Sequence, residues 1–203
     1  MHYSIVAALC AVCLASSAYG GDAGEGNSAN PGRDPGGNAG AALEVVDAQG
    51  HDVGPLVSFT DRTVATVVSV DGAIIVAPLS RASAGGHLSA SQFEWSSSTA
   101  FPNYPSTDCS GPPIVSSTNF VGSGDAAPVR PSLTIRTGSV ATAYIAPDTW
   151  STTIAGQSQV ESHFGCIATS TSTSGWLPAS TYSLTQNYPE PLTVRFDNRQ
   201  RRH

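Results

Sequence analysis

Short runs of alternating apolar and polar residues are the main pattern of this chain. Apolar positions begin abruptly at Leu43 and continue to Phe196, in β-branched segments closed by Gly, Pro, Asp or Ser. Such runs predict strands, and no ten-residue stretch after the leader-like N-terminus has helical periodicity. We expect an all-β domain over residues 42–197 with about eight to ten strands, a single antiparallel sandwich or small barrel.

Turn signals place the first strands. Asp47 to Gly50 forms a turn between two short strands, and Asp71-Gly72 between two apolar runs predicts a hairpin with a type I′ turn. Further strands are expected at His87–Trp95, Ser132–Thr137, Gly138–Ala146, Gln159–Ala168, Thr181–Thr185 and Leu192–Phe196. Prolines punctuate the gaps, and residues 96–131 look rich in loops.

The two ends of the chain differ from this domain. Residues 1–20 contain an apolar run from Ile5 to Ala18, followed by small residues that suit cleavage after Ala18 or Gly20, which predicts a signal peptide. Residues 21–41 are Gly-rich and nearly free of apolar side chains, as in a disordered, flexible linker. Residues 198–203 form a basic tail. The mature protein is expected to lack a transmembrane segment and to be secreted, periplasmic or on the cell surface.

Export determines how the cysteines are interpreted. Cys10 and Cys13 leave with the predicted leader, so Cys109 and Cys166 remain in an oxidising compartment. The simplest interpretation is that they form one disulfide. In the chain-entropy account, closing this loop stabilises the folded state by roughly 4 kcal/mol. A catalytic thiol is the first alternative, and a metal site that uses His163 with Cys166 is the second.

Composition removes several function classes. All nine basic residues are arginine, and without lysine the chain cannot perform Schiff-base chemistry or form a Ser-Lys dyad or a phosphate-loop site. The net charge of −6 argues against a nucleic-acid partner, since contact with phosphates needs a basic surface. No cofactor is implied.

Two stretches carry a resemblance to a known group. The opening LEVVDAQGHDVGPLV and the central FPNYPSTDCSGPPIV are similar to segments of uncharacterised secreted bacterial proteins with a β-rich domain. Some members of that group carry this domain after a Gly-rich or collagen-like stalk. The resemblance implies a secreted surface domain and brings no activity or catalytic residues with it.

Catalytic and metal sites are weakly indicated. A Ser-His-Asp triad would need His51, His87 or His163, but no nucleophile-elbow motif is present. A glycosidase pair would come from five carboxylates, and their spacing selects no two of them: Glu94, Glu161, Glu190, Asp108 and Asp148. Calcium could use acidic residues near the first turns, although these residue types also suit turns for backbone reasons: Asp47, Asp52, Asp61 and Asp71. We assign no catalytic or metal residues.

Three tryptophans separate into core and surface candidates. Trp95 ends an alternating strand and is expected to be buried. Trp150 and Trp176 lie in polar, turn-like settings, where displayed rings can stack on sugars, so they are the candidate ligand-binding residues.

These observations lead to an expected function. The leading hypothesis is an exported, non-enzymatic β-domain with a surface, adhesive or envelope-associated binding role, and a polysaccharide or envelope component is its expected partner. The alternatives are a secreted hydrolase of an envelope polymer and a periplasmic partner-binding or inhibitor protein.

Overall fold

The fold is all-β. The computed structural model describes residues 42–58, 64–117, 129–161 and 164–197. The strands are β1 Leu43–Val46, β2 Asp52–Ser58, β3 Val64–Val70, β4 Ala73–Ala84, β5 His87–Trp95, β6 Asn103–Tyr104, β7 Val115–Ser116, β8 Ser132–Thr137, β9 Val140–Ile145, β10 Thr152–Glu161, β11 Gly165–Trp176, β12 Ser180–Ser183 and β13 Leu192–Phe196. The one helix in these ranges, α1 Leu184–Asn187, is a single turn. None of their helices is long and apolar enough to cross a bilayer. The predicted signal peptide, linker and basic tail lie outside the described residues.

Six strands close into an antiparallel barrel, in the order β1, β13, β5, β4, β3 and β2. The predicted β3–β4 hairpin is confirmed: Asp71 and Gly72 both have positive φ, of 49° and 80°, as a type I′ turn demands. Gly54 lets β2 approach β3, because a Cβ there would collide with the carbonyl oxygen of Val67. Leu43 pairs with Phe196, so the chain enters and leaves the barrel side by side.

Two smaller antiparallel sheets accompany the barrel. One has the order β6, β10, β11 and β7, and it is built around the long β10–β11 hairpin. The short strands β6 and β7 each cover only one end of that hairpin. The other sheet has the order β12, β9 and β8.

The main core joins the barrel to the β12–β9–β8 sheet. Trp95 is completely buried, as predicted, and its indole N–H donates to the carbonyl oxygen of Tyr188 at 3.1 Å. Inward residues of β9 pack in the same cluster as barrel residues, so one apolar interior serves both sheets. The cluster contains Val45, Val53, Val68, Val70, Ile75, Ala77, Leu79, Trp95, Ala141, Ala143, Ile145, Leu184 and Leu192. A second, smaller cluster is formed by Val115, Leu133 and Ala146, with Trp176 packed against it.

Some expected boundaries are wrong. Gln159–Ala168 is not one strand, because Glu161 pairs with Gly165 and the chain reverses between them. Gly165, at a φ of 73°, supplies the left-handed residue that this reversal uses. The segment Thr181–Thr185 is also divided, since the strand gives way to α1 at Leu184. The total of 13 strands in the described ranges exceeds the prediction.

The predicted disulfide between Cys109 and Cys166 is confirmed, with a Cα–Cα distance of 5.8 Å. Cys109 has a left-handed φ of 57°, unusual for a residue other than glycine. Its N–H donates to the Ser158 hydroxyl at 2.8 Å, and that hydroxyl donates to the carbonyl oxygen of Ser106 at 2.7 Å. The disulfide therefore connects the loop after β6 to the beginning of β11. Because both sulfur atoms are bonded to each other, neither cysteine is a free catalytic thiol or a thiolate metal ligand.

Candidate ligand-binding site

Trp150 is the most exposed large apolar side chain among the described residues, at 94% of its accessible surface. It lies in the connection between β9 and β10, three residues after Pro147. A tryptophan displayed to this extent is the feature that the sequence predicted, and an indole ring left in water is available for stacking.

Trp176, the second predicted residue, is half-buried rather than fully displayed. It ends β11, pairs with Val115 of β7 and packs on the smaller core cluster. Its indole N–H donates to the carbonyl oxygen of Thr149 at 2.8 Å, which ties the β9–β10 connection to the end of β11. The hydrogen bond fixes the orientation of the Trp176 ring. It also holds Thr149, the residue before Trp150, against Trp176.

A cleft of about 400 Å³ opens beside the Trp176 ring. We call it the Trp176 cleft. It is lined by the β3–β4 turn, by the segment before β8, by the β9–β10 connection and by Trp176 itself: Gly72, Ala73, Ile74, Val129, Arg130, Pro131, Pro147, Asp148, Thr149 and Trp176. Its volume lies at the lower end of the range of about 300–1,000 Å³ that is typical of small-ligand sites.

An ion pair supplies the charge of the Trp176 cleft. Arg130 Nη2 lies 3.1 Å from Asp148 Oδ2, and the two side chains are 28% and 91% exposed. Arg130 Nη1 approaches the carbonyl oxygen of Ala146 at 3.5 Å, and the Arg130 backbone N–H donates to the carbonyl oxygen of Ile74 at 2.6 Å. The guanidinium thus has two partners and the Arg130 backbone a third, whereas the Asp148 carboxylate is almost fully exposed to solvent. The arrangement offers hydrogen-bond donors and acceptors beside an aromatic wall.

Sequence reasoning missed Arg130 altogether and considered Asp148 only as a possible acid or base. The signal available was weak: both residues adjoin a proline, in VRP and APD, and charged residues make up only 12% of the chain. Pairing between residues 18 positions apart depends on the β8–β9 hairpin, whose strands bring the two flanking segments together.

The acidic residues considered for calcium have other roles in the structure. The Asp47 carboxylate is buried and accepts from the backbone N–H groups of Gln49 and His51, both at 2.8 Å. Asp52 bonds Arg195, and Asp71 occupies its type I′ turn. Asp61 lies outside the described residues. No cluster of three or more His, Cys, Asp or Glu side chains suited to a metal occurs within the described ranges.

Two of the five candidate glycosidase carboxylates share a cation. Arg136 on β8 lies 3.4 Å from Glu94 Oε2 and 2.5 Å from Glu190 Oε1. Glu190 Oε1 also accepts from the backbone N–H of Trp95 at 2.6 Å, while Glu190 Oε2 accepts from Arg136 at 3.0 Å. Both oxygens of Glu190 therefore have partners within the protein. The hydrogen bonds to Glu190 raise the pKa of Arg136, so its cation persists at any physiological pH.

The two candidate histidines within the described residues, His51 and His87, do not form a catalytic triad. His51 Nδ1 lies 3.2 Å from Asp47 Oδ2, in a pair internal to one turn. His87 begins β5 on an exposed surface, and His163 lies outside the described residues.

No known relative guides this assignment. The chain matches no protein-family model, and no curated protein or solved structure is significantly similar to it. The resemblance to secreted bacterial proteins stays a prediction.

Proposed function

We propose that this protein is an exported, non-enzymatic β-domain that binds polysaccharide at the cell surface or envelope. The observation that carries the proposal is the Trp176 cleft with the Arg130–Asp148 pair at its wall, together with the exposed ring of Trp150, the residue that follows the cleft-lining Thr149. Flat indole rings stack on the C–H faces of sugars, and neighbouring polar groups bond the hydroxyls. The site supplies both.

Preorganisation favours binding at this position. The Trp176 ring is held by its hydrogen bond to Thr149 and by packing on the smaller core cluster, so little side-chain entropy remains to be lost when a ligand arrives. Trp150 supplies a large apolar area with few rotatable bonds. Aromatic residues of this kind dominate the binding energy of many interfaces.

The proposed location rests on separate features. A predicted leader, a Gly-rich linker and a disulfide-bonded domain together suit a protein tethered outside the cytoplasm. In that setting a flexible linker gives the domain reach, and the disulfide persists because the compartment is oxidising.

The test is retention of the purified, oxidised domain on insoluble polysaccharides and isolated envelopes. Trp150→Ala and Trp176→Ala should each weaken retention about tenfold or more, equivalent to about 1.4 kcal/mol. Phe164→Ala is the matched control, because Phe164 is also exposed but lies at the opposite end of the β10–β11 hairpin. Near-ultraviolet circular dichroism establishes that each variant is folded.

The proposal fails if no matrix or envelope retains the wild-type domain. It also fails if the two tryptophan variants are retained as well as Phe164→Ala.

The secreted-hydrolase alternative would rest on Glu94 and Glu190, which meet at Arg136. Because both oxygens of Glu190 already accept hydrogen bonds, a structural role accounts for its position. Release of reducing ends from any retained polymer, lost in Glu190→Gln with the fold intact, would establish the alternative instead.

A further inference from the structure

We infer that the Trp176 cleft takes a neutral, hydroxyl-rich sugar chain and discriminates against an acidic one. This inference rests on the proposed function and adds the chemical class of the ligand. It follows from the way in which charge is distributed at the wall of the cleft.

The positive charge in the cleft, on Arg130, is already balanced by the Asp148 carboxylate. Arg130 Nη2 and Asp148 Oδ2 are 3.1 Å apart, and Arg130 is the only cation among the described residues that line the cleft. A guanidinium offers five N–H donors and an ionised carboxylate offers only acceptors. Side by side, they match adjacent hydroxyls of a sugar, since each hydroxyl both donates and accepts.

An acidic sugar meets a charge of the same sign at this wall, the Asp148 carboxylate. Its carboxylate would either lie beside the Asp148 carboxylate, where like charges repel, or compete with it for Arg130. The Asp148 side chain is 91% exposed, so a polymer that enters the cleft can reach its carboxylate. The net charge of −6 adds a long-range field that repels polyanions.

The remaining wall is apolar and suits sugar C–H faces. Ile74 is 47% exposed at the rim, Pro131 and Pro147 line the sides, and the Trp176 ring forms one wall. At about 400 Å³ the cleft admits a short stretch of polymer. Because Trp150 directly follows the lining residue Thr149, its exposed ring offers a second stacking surface for a chain that extends beyond the cleft.

The experiment is affinity electrophoresis of the oxidised domain in matched soluble polymers: neutral glucans, mannans and galactans, and carboxymethylated derivatives prepared from the same batches. At physiological ionic strength we expect wild-type protein to bind at least one neutral polymer about tenfold more tightly than its carboxylated form. Asp148→Asn should keep neutral binding within about threefold and reduce the discrimination to about threefold or less.

Asp108→Asn is the matched control, since it removes the same charge from an exposed loop that does not line the cleft. It should preserve the tenfold discrimination. Equal effects of the two substitutions would overturn the role of Asp148 by showing that net charge alone discriminates. Tighter binding of a carboxylated polymer by the wild type would overturn the inference while the proposed function stands. Binding to no polymer of either kind, and to no envelope, would overturn both.

Discussion

Asp47 is a buried carboxylate that stabilises its own turn. Burial by itself would raise the pKa of Asp47, but the N–H groups of His51 and Gln49 and the His51 ring outweigh it and hold the pKa below the ordinary value of 3.8. The group is therefore ionised in the folded state wherever it is ionised in the unfolded chain. Its contribution to stability is present above pH 3.8 and is lost as the pH falls through the lower folded pKa.

The substitution Asp47→Asn tests this account. At neutral pH it should lower the free energy of unfolding by about 1–2 kcal/mol, because hydrogen bonds to a charged acceptor are replaced by weaker ones. Urea unfolding measured at neutral pH and below about pH 3 should show the difference from wild type shrinking in acid. The exposed Asp108→Asn serves as a control and should change little. A difference that is equal at both pH values would contradict the assigned role of Asp47.

The tryptophans show how far single residues could be predicted. Trp95 is buried because an alternating strand determines its direction, and periodicity reveals that direction. Trp150 is exposed because a turn-rich connection gives it nothing to pack on. Trp176 lies between these cases: its polar sequence neighbours suggested display, yet β7 and the smaller core cluster cover one side of the ring. Contacts between strands distant in sequence decide such positions, and local composition does not reveal them.

At the scale of elements, the β10–β11 hairpin is held by few neighbours. Only Ser158 and Gln159 of β10 pair with β6, and only Gly175 and Trp176 of β11 pair with β7. The disulfide at Cys166 lies at the turn end of the hairpin, next to the β6 pairing, because Cys166 pairs with Val160. The bond thus stabilises a ribbon whose middle has no other strand beside it among the described residues.

Replacing both cysteines, Cys109→Ser with Cys166→Ser, should lower the free energy of unfolding by roughly 4 kcal/mol, in the chain-entropy account for a sequence separation of 57 residues. Guanidinium unfolding of the variant and of the wild type, with and without reductant, measures the effect. Reductant should bring the wild type to the midpoint of the variant and leave the variant unchanged. Identical midpoints in the absence of reductant would show that the bond contributes no stability.

Element prediction succeeded where turns and alternation coincide. β5, β8 and β13 occur at the expected residues, because each has β-branched or alternating side chains bounded by turn formers. β6 and β7 span two residues each, too few for alternation to appear, and they exist because β10 and β11 lie beside them. The β10–β11 turn was missed because Ser162, His163 and Phe164 lack the usual hairpin residues.

At the scale of the molecule, Arg136 joins the β12–β9–β8 sheet to the barrel. From β8 it reaches Glu94 on β5 and Glu190 ahead of β13, and its Nη1 donates to the Trp95 carbonyl oxygen at 3.0 Å. These side chains are about one-fifth to one-quarter exposed, at 22% for Arg136, 19% for Glu190 and 26% for Glu94, so solvent screens them only in part. The apolar core that both sheets share also holds them together.

Arg136→Met should therefore lower the free energy of unfolding by about 1–3 kcal/mol, because it removes the cation that two carboxylates share and the N–H group that bonds the Trp95 carbonyl oxygen. Arg81→Met is the matched control: this arginine bonds the carbonyl oxygens of Ser89 and Ala90 and lies over the Phe93 ring, and all three contacts stay within its own β4–β5 hairpin. Thermal unfolding of both variants compares them. An Arg136 variant as stable as the Arg81 variant would mean that the shared core alone joins the two sheets.

The position of the chain ends has a practical consequence. β1 begins where β13 ends, and Asp197 N–H bonds the Ala42 carbonyl oxygen at 2.7 Å, so both ends leave one pole of the barrel. β3 runs in the same direction as β1, because each is antiparallel to β2, and the β3–β4 turn at Gly72 therefore lies at the other pole. That turn lines the Trp176 cleft. An anchor, a fluorophore or a reporter joined directly to the start of β1 or the end of β13 would lie at the pole opposite the cleft, so the domain can be immobilised for measurement without masking the surface being measured.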